Sequence, residues 1–161
     1  MRAFTTGLAL LGALLLQTAL TQLLPAHAQV FDPFLLVLVY CGLAGGETHG
    51  MLAGAVGGWI QDVLFAGRIL GLSGLTKLLI GFAVGLAGSR FHLTEPAPRA
   101  LVLVLAALAD AALLTALAAA FDVSVTPLTG GRLLARAAVN AAVGVACFGL
   151  LERQAGRWRR A

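Results

Sequence analysis

In this chain of 161 residues, 60% are hydrophobic and 11% charged, whereas globular proteins carry about a quarter charged residues. That balance excludes a water-soluble enzyme or binding domain and implies an integral membrane protein. At roughly 20 residues per span the length admits about six spans, which leaves too little chain for a soluble domain. The net charge of +4 does not point to nucleic acid, because Arg153, Arg157, Arg159 and Arg160 crowd the last nine positions beside Trp158. A basic tail with an interfacial indole suits anionic lipid headgroups.

The first apolar run, residues 4–24, follows Arg2 and ends near Ala26-His27-Ala28, a tripeptide that resembles a signal-peptidase site. The run exceeds the roughly 7 to 15 residues of a signal-peptide core, and more apolar sequence follows it, so it reads as a retained first helix. Asp32 and Pro33 open a second helix, over about 33–46, with the aspartate at the N-cap and the proline in the first turn. Residues 45–50, Gly-Gly-Glu-Thr-His-Gly, read as a tight return. A third helix is expected over about 50–66 and a fourth over about 71–89, joined by a short turn. Residues 89–99, with Pro96 and Pro98, form the longest hydrophilic connection. A fifth helix over about 100–121 carries Asp110 near its middle, and a sixth over about 132–151 carries Asn140 near its centre. The fold class expected is an all-α membrane protein of six transmembrane helices in one bundle and one membrane domain.

Glycine marks the segment around which the chain is organised. Of 20 glycines, 13 fall between positions 42 and 88. Gly46, Gly50, Gly54 and Gly58 recur at intervals of four and lead to Asp62, while Gly74, Gly81, Gly85 and Gly88 follow in the next helix. On a helix that spacing makes a stripe without side chains, where another backbone can approach closely. Gly46, Gly50, Gly54, Gly58, Gly81 and Gly85 are therefore candidate helix-interface positions, within the chain or with a partner.

Asp62, Lys77 and Asp110 lie inside apolar spans. An unpaired charge there costs about 2.5 to 3.5 kcal/mol on insertion scales, so each needs a partner or a wet cavity. If a turn occupies residues 67–70, Asp62 lies about 6 Å and Lys77 about 9 Å below the end of the hairpin. The expected arrangement pairs the two across it, and the competing one sends Lys77 to Asp110 and leaves Asp62 to donors such as Ser73. Asn140 should face other helices.

Catalytic and metal readings fare poorly. Gly71-Leu72-Ser73-Gly74 matches the Gly-x-Ser-Gly pattern around a rhomboid-protease nucleophile, yet His27, His49 and His92 all fall in expected loops and none within a span. Glu47 and His49 supply only two ligands, short of the three or four a zinc site requires. Cys41 and Cys147 sit in apolar runs as small packing residues. No enzymatic activity, cofactor or metal is expected.

The succession Asp32-Pro33, Gly50-x-x-x-Gly54-x-x-Gly57-x-x-x-x-Asp62, Gly67-x-x-x-Gly71-Leu72-x-x-Leu75 and Gly81-x-x-x-Gly85 resembles the rod shape-determining protein MreD family. The likeness in helix layout covers essentially the whole chain and is most specific over residues 50–85. It places Asp62 and its glycines at the family's characteristic aspartate segment; Glu47 and His49 stand where basic residues are common in the family. It implies a non-enzymatic component of bacterial cell elongation and peptidoglycan synthesis in the inner membrane. The partners implied are an MreC-like bitopic protein, a RodA-type glycosyltransferase with its penicillin-binding transpeptidase and, indirectly, the MreB filament. The same family looks like the S-components of energy-coupling-factor vitamin transporters, so a substrate-binding S-component is the alternative function. For orientation, Arg2, Arg90, Arg99 and the four tail arginines would share one side against Arg68, Arg132 and Arg136 on the other. By the positive-inside rule both termini are expected to be cytoplasmic.

Overall fold

The computed structural model describes residues 2–24, 30–66, 71–91, 95–122 and 129–158, and these form six α-helices. They are α1 (Arg2–Leu23), α2 (Pro33–Gly45), α3 (Glu47–Gln61), α4 (Leu72–Arg90), α5 (Pro96–Ala120) and α6 (Gly130–Trp158), with a π-helical turn, Asp62–Ala66, continuing α3. The segment containing His27, the turn at 67–70, His92 and residues 159–161 lie outside the described residues. So do the side chains of Arg153, Arg157 and Trp158, on which the lipid-tail expectation rests.

Local chemistry sets several boundaries. Asp32 caps α2 by accepting from Leu35 N–H at 3.1 Å, with Pro33 in the first turn. The expected return over residues 45–50 contracts to Gly46 alone, at φ 81° and ψ −170°. Few residues other than glycine tolerate that conformation, and one such residue reverses the chain. Glu47, Thr48 and His49 therefore belong to α3 and not to a loop. Pro96 opens α5 four residues earlier than expected, because proline is pre-shaped for a first helical turn and lacks the N–H that would go unpaired there.

The helices alternate in direction. Asp32 meets Lys77 while Gly42 meets Gly85, and Asp32 meets Asn140 while Leu36 meets Gly144, so α2, α4 and α6 run parallel; Gly50 opposite Gly81 and Gly58 opposite Ser73 set α3 against α4. Short α2 is the hub, packing against all five other helices, with Phe34, Leu35, Leu38 and Val39 completely buried. Its 13 residues cover only about 20 Å, less than a hydrocarbon core of about 30 Å. The sequence leads one to expect six transmembrane helices, but among the described residues four are long and apolar enough to cross a bilayer, through the segments Phe4–Leu23, Leu72–Arg90, Pro96–Ala120 and Gly130–Leu151. Large apolar side chains such as Phe4, Leu15, Leu23, Leu52, Leu101 and Leu134 point outward, as lipid contact requires.

The tightest packing is the antiparallel α3–α4 seam. A Cβ on Gly50 would fall on the Gly81 carbonyl, one on Gly54 on the Lys77 carbonyl, one on Gly58 on the Ser73 carbonyl, and one on Gly85 on the backbone of Glu47. These are backbone atoms and cannot rotate away. Gly46 is not part of the seam: nothing lies within 4 Å of a Cβ placed there, and its positive φ explains the residue instead. Gly57 turns the other way, toward Leu10 and Phe34.

Gly54→Leu should therefore force α3 and α4 apart and cost about 3 kcal/mol or more. Gly12→Leu, at a position with nothing within 4 Å, should be nearly neutral. Denaturant unfolding of the two variants in detergent checks this, and equal stability would refute the seam.

Candidate functional site

Four ionisable side chains converge near the end of the bundle at which α2, α4 and α6 begin. Asp32 reaches in from the start of α2, Lys77 from the second turn of α4, Asp110 from the middle of α5 and Arg136 from the second turn of α6. Lys77 Nζ lies 2.9 Å from Asp32 Oδ2 and 3.2 Å from Asp110 Oδ1. Arg136 Nη2 lies 3.0 Å from Asp32 Oδ2 and also donates to Asp110 Oδ2. Each cation thus touches both carboxylates, and the tetrad sums to zero charge. The exposed fractions of the Lys77 and Asp32 side chains are only 2% and 4%.

Apolar surroundings strengthen such pairs and make any unpaired member expensive. Asn140, also buried, completes the group by accepting from Asp32 N–H at 3.1 Å and donating to the Val30 carbonyl at 3.0 Å and the Arg136 carbonyl at 2.7 Å. Arg136 Nε is buried without a hydrogen-bond partner among the described residues.

The expected Asp62–Lys77 pair is not formed. Asp62 Oδ2 accepts from Gly71 N–H at 2.9 Å and Gly74 N–H at 3.1 Å, and Oδ1 accepts from Ser73 N–H at 3.2 Å. Its carboxylate satisfies the orphan donors at the start of α4 and complements that helix's dipole. Matched depth on the hairpin was therefore a poor guide: the seam brings Gly54 against the Lys77 carbonyl, so the lysine side chain departs toward α2 and α5. The competing arrangement, Lys77 to Asp110, is the one present.

Sequence reasoning missed two members of the tetrad. Asp32 had a sufficient local explanation as an N-cap, and Arg136 was counted among the charges near the membrane surface. The available signal was Asp32 itself: beside Asp110 it makes two acids against Lys77 and calls for a second cation, which Arg136 supplies, whereas Asp62 needs none because backbone donors satisfy it. Of the weaker candidates, Ser73 uses its backbone N–H on Asp62. His49 contacts the Gly45 carbonyl at 3.1 Å, at the opposite end of the bundle, where Ser89 Oγ donates to Glu47.

Apolar helices long enough to span a bilayer, lipid-facing side chains and buried charges that cancel one another define a multi-pass membrane protein. Its sequence matches the family described as rod shape-determining protein MreD over residues 1–143, and the chain belongs to that family. The match assigns it a role in rod shape determination, among the membrane proteins of the shape-determining complex. No curated protein and no solved structure matches the chain, so the likeness to S-components draws no support from either.

Lys77→Met leaves two carboxylates facing one arginine and should cost about 3 to 5 kcal/mol. Adding Asp110→Asn makes the remainder neutral and should recover part of that loss in a double-mutant cycle. A double variant less stable than the single in detergent unfolding would contradict the charge balance. Asp62→Ala, which strands three backbone donors, should cost about 1 to 3 kcal/mol, and Asp62→Asn less, because its amide oxygen still accepts.

Proposed function

We propose that this protein is a non-catalytic membrane component of the bacterial cell-elongation machinery, acting on peptidoglycan synthesis through contacts with other membrane proteins. The family match carries the reading. The tetrad supports it chemically, since its two acids and two bases are engaged with one another and serve to fix four chain segments. The partners proposed are an MreC-like bitopic protein and a RodA-type glycosyltransferase with its penicillin-binding transpeptidase, with MreB engaged indirectly and anionic lipid at the tail. The arginine distribution favours the inner membrane with both termini cytoplasmic. An even number of helices alternating in direction is compatible with that orientation.

Depletion in a rod-shaped host should convert rods to spheres, and a plasmid copy should restore them. Unchanged rods with impaired vitamin uptake would instead identify an S-component. Alkaline phosphatase fused after Arg160 should be inactive, and activity there would reverse the proposed orientation.

A further inference from the structure

The two carboxylates of the tetrad are held in different ways. Asp110 belongs to the interior of a helix of 25 residues, so its backbone is fixed by α5 itself. Asp32 sits at the end of the connector that joins α1 to α2. Residues 30–32 form a strap over the end of the bundle, tied by its backbone to Asn140 through Asp32 N–H and the Val30 carbonyl. Its side chain is tied to two cations, because one oxygen, Asp32 Oδ2, receives both Lys77 Nζ and Arg136 Nη2. Without Asp32, Lys77, Arg136 and Asp110 remain, with a net charge of +1. Asp110 still bridges both cations, so their heads stay in place around a vacancy the size of one carboxylate.

We infer that the Asp32 carboxylate is a built-in ligand, latching the 30–32 strap into an oxyanion seat formed by Lys77 and Arg136, and that the emptied seat takes a small free carboxylate. The frame of α4, α5 and α6 is closed by Asp110 and does not depend on the latch. The strap, and with it the start of α2, does. A free carboxylate fits because it offers what Asp32 offers: an unprotonated oxygen that accepts from an ammonium and a guanidinium at once, in apolar surroundings where such charge-assisted bonds are strong.

The test uses the full chain in detergent micelles with Asp32→Gly, since glycine replaces aspartate well as an N-cap and leaves space for the anion, so that the loss of stability reports the uncompensated charge of the emptied seat. Hydrogen exchange at residues 30–36 should accelerate about tenfold or more while α4, α5 and α6 keep their protection. The thermal midpoint should fall, and sodium formate at about 50 mM should restore half or more of the fall by mass action. Sodium chloride at equal ionic strength should not. Asp32→Asn, whose neutral amide fills the seat, should be destabilised and insensitive to formate. Lost protection throughout α4, α5 and α6, or failure of Asp32→Gly to fold even with formate present, would make Asp32 part of the frame and overturn the latch. Formate acting no better than chloride would mean simple screening and overturn the seat.

Discussion

Hydrocarbon solvates no charge, and the structure depends on how this chain meets that constraint. Four ionisable groups from four segments cancel fully only when all are present, because any three of them leave a net charge in a medium that penalises it by several kcal/mol. The tetrad therefore demands a definite arrangement more than it adds favourable energy. Apolar side chains of similar volume could fill the same space without specifying register. With Lys77 bound to both Asp32 and Asp110, α4 cannot shift by a turn relative to α2 or α5 without stranding a charge. The hub position of α2, too short to span alone, rests on this anchoring at one end and on its completely buried leucines along its length.

The α3–α4 seam solves the association problem differently. In lipid there is no hydrophobic force between helices, so close packing must supply the attraction. Gly50, Gly54, Gly58, Gly81 and Gly85 remove every side chain that would hold the two backbones apart. The seam ends at Asp62, whose carboxylate binds three N–H groups at the start of α4. The π-helical turn begins at that residue, and such turns are among the recognised causes of a helix kink. Packing along the seam and capping at its end together fix the hairpin, with no salt bridge across it among the described residues.

Much of this architecture was legible in the sequence, for physical reasons that differ by residue. The Asp32-Pro33 start of α2 follows from rules confined to one helical turn and could be read directly. The interval-four glycines reported a smooth helix face, and α4 does press against Gly50, Gly54 and Gly58. Gly46 continued the interval yet serves a turn, since spacing cannot separate a missing side chain needed for packing from one needed for positive φ. Asp62 and Lys77 lie at similar depth yet bind different partners: sequence gives depth along a helix but not the angle around it. The role of Arg136 is hidden in the sequence, because a basic residue near a helix start has an ordinary explanation at the membrane surface. The Asn140 contacts bridge positions 108 and 110 residues apart, and no local pattern reports such a pairing.

The contrast between the seam and the tetrad bears on the order in which the molecule assembles. The seam joins helices adjacent in sequence, and closing a loop of so few residues carries little entropic penalty. Its glycines also have no rotamers to lose when the backbones meet. The tetrad joins residues up to 104 positions apart, including Arg136 of the last helix, and cannot close until α6 is in place. The α3–α4 hairpin is thus suited to act as an early template in the membrane, with the charge cluster as the final check that the remaining helices have docked in register. Until then Asp110 and Lys77 must find temporary partners, whether water, lipid headgroups or each other.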